Sequence, residues 1–162
     1  MLPWRPNACC CASCTLFSDD FSTDQLATEY NQVSGSWSVG SGVLTTTSAG
    51  AILRCETASA TGHGRALVTA KATTSGATFR LIGSYVDTNN YLFCEVTLSG
   101  GSSTFKLWKR VAGLNTQISS TVTLSLTTNQ FYDMALCWSG TYAIAVLSMS
   151  GVISRSSVHA KS

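Results

Sequence analysis

From Ser36 onward, apolar and polar positions alternate with a period of two, and that rhythm predicts strands. Successive side chains of an extended chain point to opposite faces, so alternation marks a sheet buried on one side. The predicted strands are Ser36–Val39, Val43–Thr46, Ala51–Arg54, Arg65–Thr73, Ala77–Val86, Asn90–Leu98, Thr104–Val111, Thr116–Leu124, Phe131–Trp138 and Tyr142–Ser148. Turn signals separate them: Gly40-Ser41-Gly42, Ser75-Gly76, Asp87-Thr88-Asn89, Ser99-Gly100-Gly101-Ser102, Ala112-Gly113, Thr128-Asn129 and Ser139-Gly140. Pro3 and Pro6 precede this region, so no proline interrupts its ladders. Helical periodicity is nearly absent, with room for one short turn between Ser22 and Tyr30. Many short strands at near-regular spacing predict an all-β, two-sheet antiparallel β-sandwich of about ten strands.

The alternation also assigns faces. In Asn90–Leu98, the side chains of Leu92, Cys94, Val96 and Leu98 share the predicted core face, and Tyr91, Phe93, Glu95 and Thr97 the other. If Leu98 lies opposite Phe105, then Val96 meets Leu107 and Glu95 faces Trp108. Phe93, Glu95, Lys106, Trp108 and Arg110 then gather on one outward face. The same register places Lys109 on the core side beside Cys94, a position tolerable only at the rim. Trp37 and Trp138 are expected in the core.

Composition narrows the partners. Of 162 residues, 44% are hydrophobic and only 11% charged, with Ser, Thr, Gly and Asn supplying the polarity. That mixture excludes a disordered chain and suits an extracellular, virion or cell-surface β-protein. The net charge of +2 is spread along the chain, with Lys106, Lys109 and Arg110 the one close group. This leaves no electrostatic footprint for nucleic acid. No apolar run is long enough to span a bilayer as a helix. Met1–Asn7 has one Arg with no apolar stretch behind it, so it does not read as a secretory signal.

Several phrases, taken in order, resemble the concanavalin A-like, laminin-G-like jelly-roll superfamily: Asp19-Asp20-Phe21, Gly35-Ser36-Trp37-Ser38-Val39, Gly42-Val43-Leu44, Val86-Asp87-Thr88-Asn89-Asn90-Tyr91, Phe105-Lys106-Leu107-Trp108-Lys109-Arg110 with Gly113, and Phe131-Tyr132 leading to Ser139-Gly140-Thr141-Tyr142. The resemblance runs from about Thr15 to Ser150. It implies a jelly-roll sandwich whose members bind glycans or proteins or cleave glycans, a fold and a menu rather than an activity. One departure is visible. Such domains close with a further strand carrying a second acidic motif, and Arg155–Ser162 holds no such phrase. The expected organisation is a Cys-rich arm, residues 1–14, and one sandwich, residues 15–162, lacking its closing strand.

Glycoside cleavage needs two positioned carboxylates. The eight acids are Asp19, Asp20, Asp24, Glu29, Glu56, Asp87, Glu95 and Asp133, and no two lie at i, i+2, so no single strand presents a pair. Glu95 and Asp133 would meet only across strands. His63, in a Gly-flanked turn, and His159 offer no positioned base for a triad. The chain therefore does not read as an enzyme. Asp19 and Asp20 are candidate ligands for a structural calcium ion; the alternative is a solvated turn. Cys9, Cys10, Cys11 and Cys14 form a cluster whose readings are disulfide linkage, within the chain or to another chain, or a zinc site. Three consecutive side chains point in alternating directions and suit one tetrahedral site poorly, which favours disulfides. Cys55, Cys94 and Cys137 read as small buried hydrophobes.

Trp108 is the leading ligand candidate, its ring offered to the apolar face of a sugar while Glu95 and Arg110 bond hydroxyls and Phe93 and Lys106 flank it. The competing reading packs Trp108 in the core. On this basis the chain is expected to be a non-catalytic recognition module for a glycan or cell-surface polymer. The alternative is an assembly subunit that self-associates through the Cys-rich arm or an open sheet edge. A glycan-cleaving enzyme is the third and least favoured class.

Overall fold

The computed structural model describes residues 18–161 apart from 24, 49, 56–61, 141, 150 and 151, and only the backbone of 152–161. Among the described residues every regular element is a strand, paired antiparallel, so the all-β expectation holds. The chain divides into two compact units, Ser13–Ser59 and, beyond it, Ala60–Ser162.

In the smaller unit, β1 (Tyr30–Ser34) pairs with β4 (Ile52–Cys55), and β2 (Ser38–Gly40) pairs with β3 (Val43–Thr45). The hairpin predicted across Gly40-Ser41-Gly42 is present, with Val39 opposite Leu44. Its tip uses left-handed backbone at Ser41 and Gly42, the twist that two-residue hairpins require. The short turn expected before Tyr30 is present as a single turn closed by Tyr30 N to Ala27 O at 3.1 Å, and upstream of it two aspartates cap the backbone. Asp19 Oδ1 accepts from Phe21 N at 2.7 Å and Asp20 Oδ1 from Ser22 N at 3.0 Å. Trp37 is a correction: it lies half-buried, its Nε1 donating to Ser34 O at 3.2 Å. Strands of three to five residues cannot enclose an indole as a long sheet does.

The larger unit continues with β5 (His63–Ala70), β6 (Thr78–Asp87), β7 (Asn90–Thr97), β8 (Ser103–Val111), β9 (Leu114–Gln117), β10 (Val122–Leu124), β11 (Tyr132–Ser139), β12 (Tyr142–Met149) and β13 (Val152–Lys161). One sheet runs β10-β8-β7-β6 with β9 also on β8, and a second runs β13-β12-β11-β5. The strand predicted over Thr116–Leu124 is split in two. Its middle leaves the ladder because Leu107 N bonds the Ser119 hydroxyl (3.0 Å) while Leu107 O takes Ile118 N (2.9 Å). The stretch Val152–Lys161, for which no strand is expected, pairs with β12.

The two sheets share one buried cluster. Leu92, Cys94, Val96, Leu98, Phe105 and Leu107 from the first meet Tyr132, Met134, Leu136, Trp138, Ala143, Ala145 and Leu147 from the second. These residues occupy alternate positions on each strand, which is the sandwich-like pattern the alternation predicts. Gly83 permits the closest approach: a Cβ there would lie 2.5 Å from Trp138 Cζ3.

Candidate functional site

The outward face of β6–β9 carries every residue the alternation places there. The register itself is corrected. Val96 lies opposite Phe105, Cys94 opposite Leu107, Phe93 opposite Trp108, Glu95 opposite Lys106 and Tyr91 opposite Arg110. Glu95 therefore does not face Trp108. The cause sits at the start of β8, where Ser103, fully buried, accepts from Ser99 N (3.1 Å) and donates to Ser99 O (3.3 Å) across the connecting loop. Leu98 is thereby drawn out of the ladder, and Thr97 with Thr104 becomes the last pair. A shift of two residues keeps every side chain on its face, so the face assignments survive.

Along this face aromatic rings and cations interleave. Phe93 and Trp108 stack with ring centroids 6.1 Å apart and planes within 4°, and Tyr91 reaches Phe93 at 5.5 Å and stacks on Tyr85 at 6.0 Å. The Arg80 guanidinium lies 5.0 Å from the Phe93 centroid, Lys106 Nζ 5.8 Å from Trp108, and the Arg110 guanidinium 5.9 Å from Tyr91. Each of these three rings thus receives a cation over its electron-rich face. Glu95, only 8% exposed, is ion-paired through Oε2 to Arg80 Nε at 2.7 Å. Arg110 donates Nε to Thr88 O (3.1 Å) and Nη1 to Asn115 Oδ1 (2.9 Å), which fixes its stem.

The five predicted residues therefore lie together but are not equivalent. Phe93 is enclosed, at 1% exposure, and Glu95 is committed to Arg80, which leaves Trp108, Lys106 and Arg110 partly open to an incoming molecule. Trp108 is half-buried, and its Nε1 has no acceptor among the described residues. Arg80, Tyr85 and Tyr91 belong to the same array and were not singled out from the sequence; their signal was the alternation itself, which puts Arg80 and Tyr91 on that face. Lys109 lies opposite Leu92 on the inward row, half-buried at the rim, where alone a lysine is tolerable on that side.

Cys94 and Cys137 are buried and Cys55 is half-buried. Removal from water pushes the Cys94 thiol up to about 12, so at neutral pH it is a packed thiol rather than a nucleophile. Cys9, Cys10, Cys11 and Cys14 lie outside the described residues. Glu95 and Asp133 belong to different sheets and both alternate with core residues, so they face away from the shared core in opposite directions. Asp133 instead accepts from the Thr69 hydroxyl at 2.7 Å. At Asp19 and Asp20 one oxygen of each is spent on a turn, and hydrogen bonds from Ser22 hold the Asp20 carboxyl below its usual range. Asp19 Oδ2 is buried without a partner, and no group of three or more His, Cys, Asp or Glu side chains forms among the described residues. The six to eight oxygens that calcium takes would have to come largely from elsewhere.

At one end of the shared core lies a cleft of about 290 Å³, lined by Ser84, Val86, Tyr91, Lys109, Trp138 and Tyr142 among others. Sequence reasoning missed it, although its signal is visible: Val86 and Val111, both lining it, stand at hairpin tips where polar residues are usual. Among the described residues no helix is long and apolar enough to cross a membrane. No protein-family model, curated protein or solved structure matches the chain.

Proposed function

We propose that this chain is a non-catalytic recognition module, a two-sheet jelly roll of the concanavalin A-like kind, that binds a glycan on the outward face of β6–β9 at a cell or virion surface. The observation that carries this reading is the parallel Phe93–Trp108 stack flanked by Lys106 and Arg110. A ring held flat by a second ring loses little freedom when a pyranose stacks on it. Lys106 beside it supplies a charge-assisted hydrogen bond to a hydroxyl or acidic substituent, and Arg110 adds only the guanidinium hydrogens not engaged by Thr88 O and Asn115 Oδ1. The separation of Glu95 from Asp133 supports recognition over hydrolysis. Calcium at Asp19 and Asp20 would support the smaller unit.

The test is a glycan array read with the intact chain and with Trp108→Ala. Binding of a polysaccharide that falls at least about tenfold in the variant, the worth of one stacked ring, supports the platform. Binding that survives unchanged overturns it. A chain that binds no glycan but forms multimers that reductant dissolves is instead an assembly subunit. That second reading is favoured by the exposed Leu67 and Val68 on β5, an outer strand of its sheet.

A further inference from the structure

We propose that the cleft at the hairpin end of the larger unit binds a small carboxylic acid with an apolar body. The site borders the outward array at Tyr91 and Arg110 but includes neither Phe93 nor Trp108, and it does not depend on the glycan reading.

The inward row of β8 runs Ser103, Phe105, Leu107, Lys109. The first three are fully buried, and the fourth is a cation. Lys109 lies opposite Leu92, itself 7% exposed, and lines the cleft. No aspartate or glutamate lines the cleft with it, and among the described residues no carboxylate lies within ion-pair distance of its ammonium. A partly desolvated ammonium against an apolar wall is unfavourable unless it meets an anion or extends its stem to water. Arg110 also reaches the cleft, but its guanidinium is held by Thr88 O and Asn115 Oδ1.

Two further departures from regular strand structure meet at the same place. Between the pairs Gly83–Leu92 and Asp87–Asn90, three residues of β6 face the single Tyr91 of β7. This bulge holds Ser84 in left-handed backbone, φ +46°, a conformation that non-glycine residues rarely adopt and that clusters at binding sites. On the opposite sheet Trp138 lines the cleft, and its Nε1 is buried with no acceptor among the described residues. The rim is apolar and open to solvent, with Val86 75%, Val111 55% and Tyr142 60% exposed. Apolar side chains at hairpin tips are out of place unless something covers them.

The chemistry of this lining selects the ligand. One uncommitted cation among Val, Tyr and Trp side chains recognises one negative charge on an apolar or aromatic body. Asn90 and Arg110 are already hydrogen-bonded within the chain, so a neutral sugar would compete for them, and a phosphate finds only one free ammonium. The volume lies near the lower end of ligand sites, room for a medium-chain or single-ring acid.

The experiment titrates the intact chain with sodium octanoate, octanol and octylamine in parallel. Calorimetry gives affinity, and the indole N–H resonance of Trp138, assigned through Trp138→Phe, gives location. Octanoate is expected to bind at least about tenfold more tightly than octanol, the worth of one charge-assisted hydrogen bond, and octylamine more weakly than either. Lys109→Met keeps the stem and should remove the preference for octanoate while leaving the melting temperature near that of the parent. Trp108→Ala should leave octanoate binding unchanged, so failure of the glycan reading is distinguishable from failure here. Equal affinity for octanoate and octanol, no binding of either, or a preference that persists in Lys109→Met would each overturn the proposal.

Discussion

Over Phe93–Val96 the two faces of β7 are nearly equally buried and differ in what buries them. Inward, Cys94, Val96, Phe105 and Leu107 are removed from water against side chains of the opposite sheet, an apolar interior closed by a second layer. Outward, Phe93 and Glu95 are almost as hidden, yet their ring and ion-pair partners are Trp108, Tyr91 and Arg80 of their own sheet. Low exposure alone therefore does not separate a core from a platform. The identity of the partners does, because a layer of aliphatic side chains excludes ligands whereas a row of rings and cations can exchange one partner for another.

The largest effect that would sharpen this contrast comes from truncating one aromatic on each face. Phe105→Ala opens a void between two sheets and is expected to cost about 3–5 kcal/mol in urea unfolding. Trp108→Ala removes a half-buried ring from the outward row and is expected to cost about 1–2 kcal/mol. Equal losses would make the outward face a second core and remove its claim to be a ligand platform.

That the two faces were separable in advance follows from the period of a strand. Alternation in Asn90–Leu98 and Thr104–Val111 fixes which residues share a side, and Cys94 and Phe93 fall on their expected sides. The pairing of β7 with β8 was not legible to the residue. A slip of two preserves every face, so hydrophobic patterning is blind to it, and the decision falls to the buried Ser103 hydroxyl at the start of β8. β13 escaped because its middle does not alternate: Ser154, Arg155, Ser156 and Ser157 follow one another without an apolar residue, so its strand state comes from pairing with β12. Lys109 was legible as a rim residue from its place on the core row. The cleft beside it was not, since it joins the tips of hairpins from two sheets whose packing no local pattern encodes.

A smaller effect tests the closeness of the inward layer. Gly83→Ala places a methyl 2.5 Å from Trp138 Cζ3 and 3.1 Å from Leu136 Cδ2. Overpacking of this kind is expected to cost about 1–3 kcal/mol, lowering the thermal midpoint by several degrees. A neutral outcome would mean that the sheets can separate locally, and the contrast between a rigid inward layer and an exchangeable outward row would weaken. Gly83 also begins the bulge that shapes the cleft, so octanoate titration of this variant reports whether the two features are coupled.

The smallest effect is expected at the Arg80–Glu95 pair, and it is the most direct probe of what the outward burial is worth. The carboxylate side chain is 11% exposed and the guanidinium side chain 45%, so the pair is screened from one side only. A double-mutant cycle with Arg80→Gln and Glu95→Gln is expected to give a coupling of about 0.5–1 kcal/mol, falling with added salt as surface pairs do. Loss of Arg80 alone should cost more than this coupling, because the enclosed Glu95 carboxylate then keeps only Lys106 across the strand. A coupling several times larger and insensitive to salt would mean that the pair lies in a dry interior. The outward row would then behave as the inward one does, and burial by rings and cations would be no different in kind from burial by a second sheet.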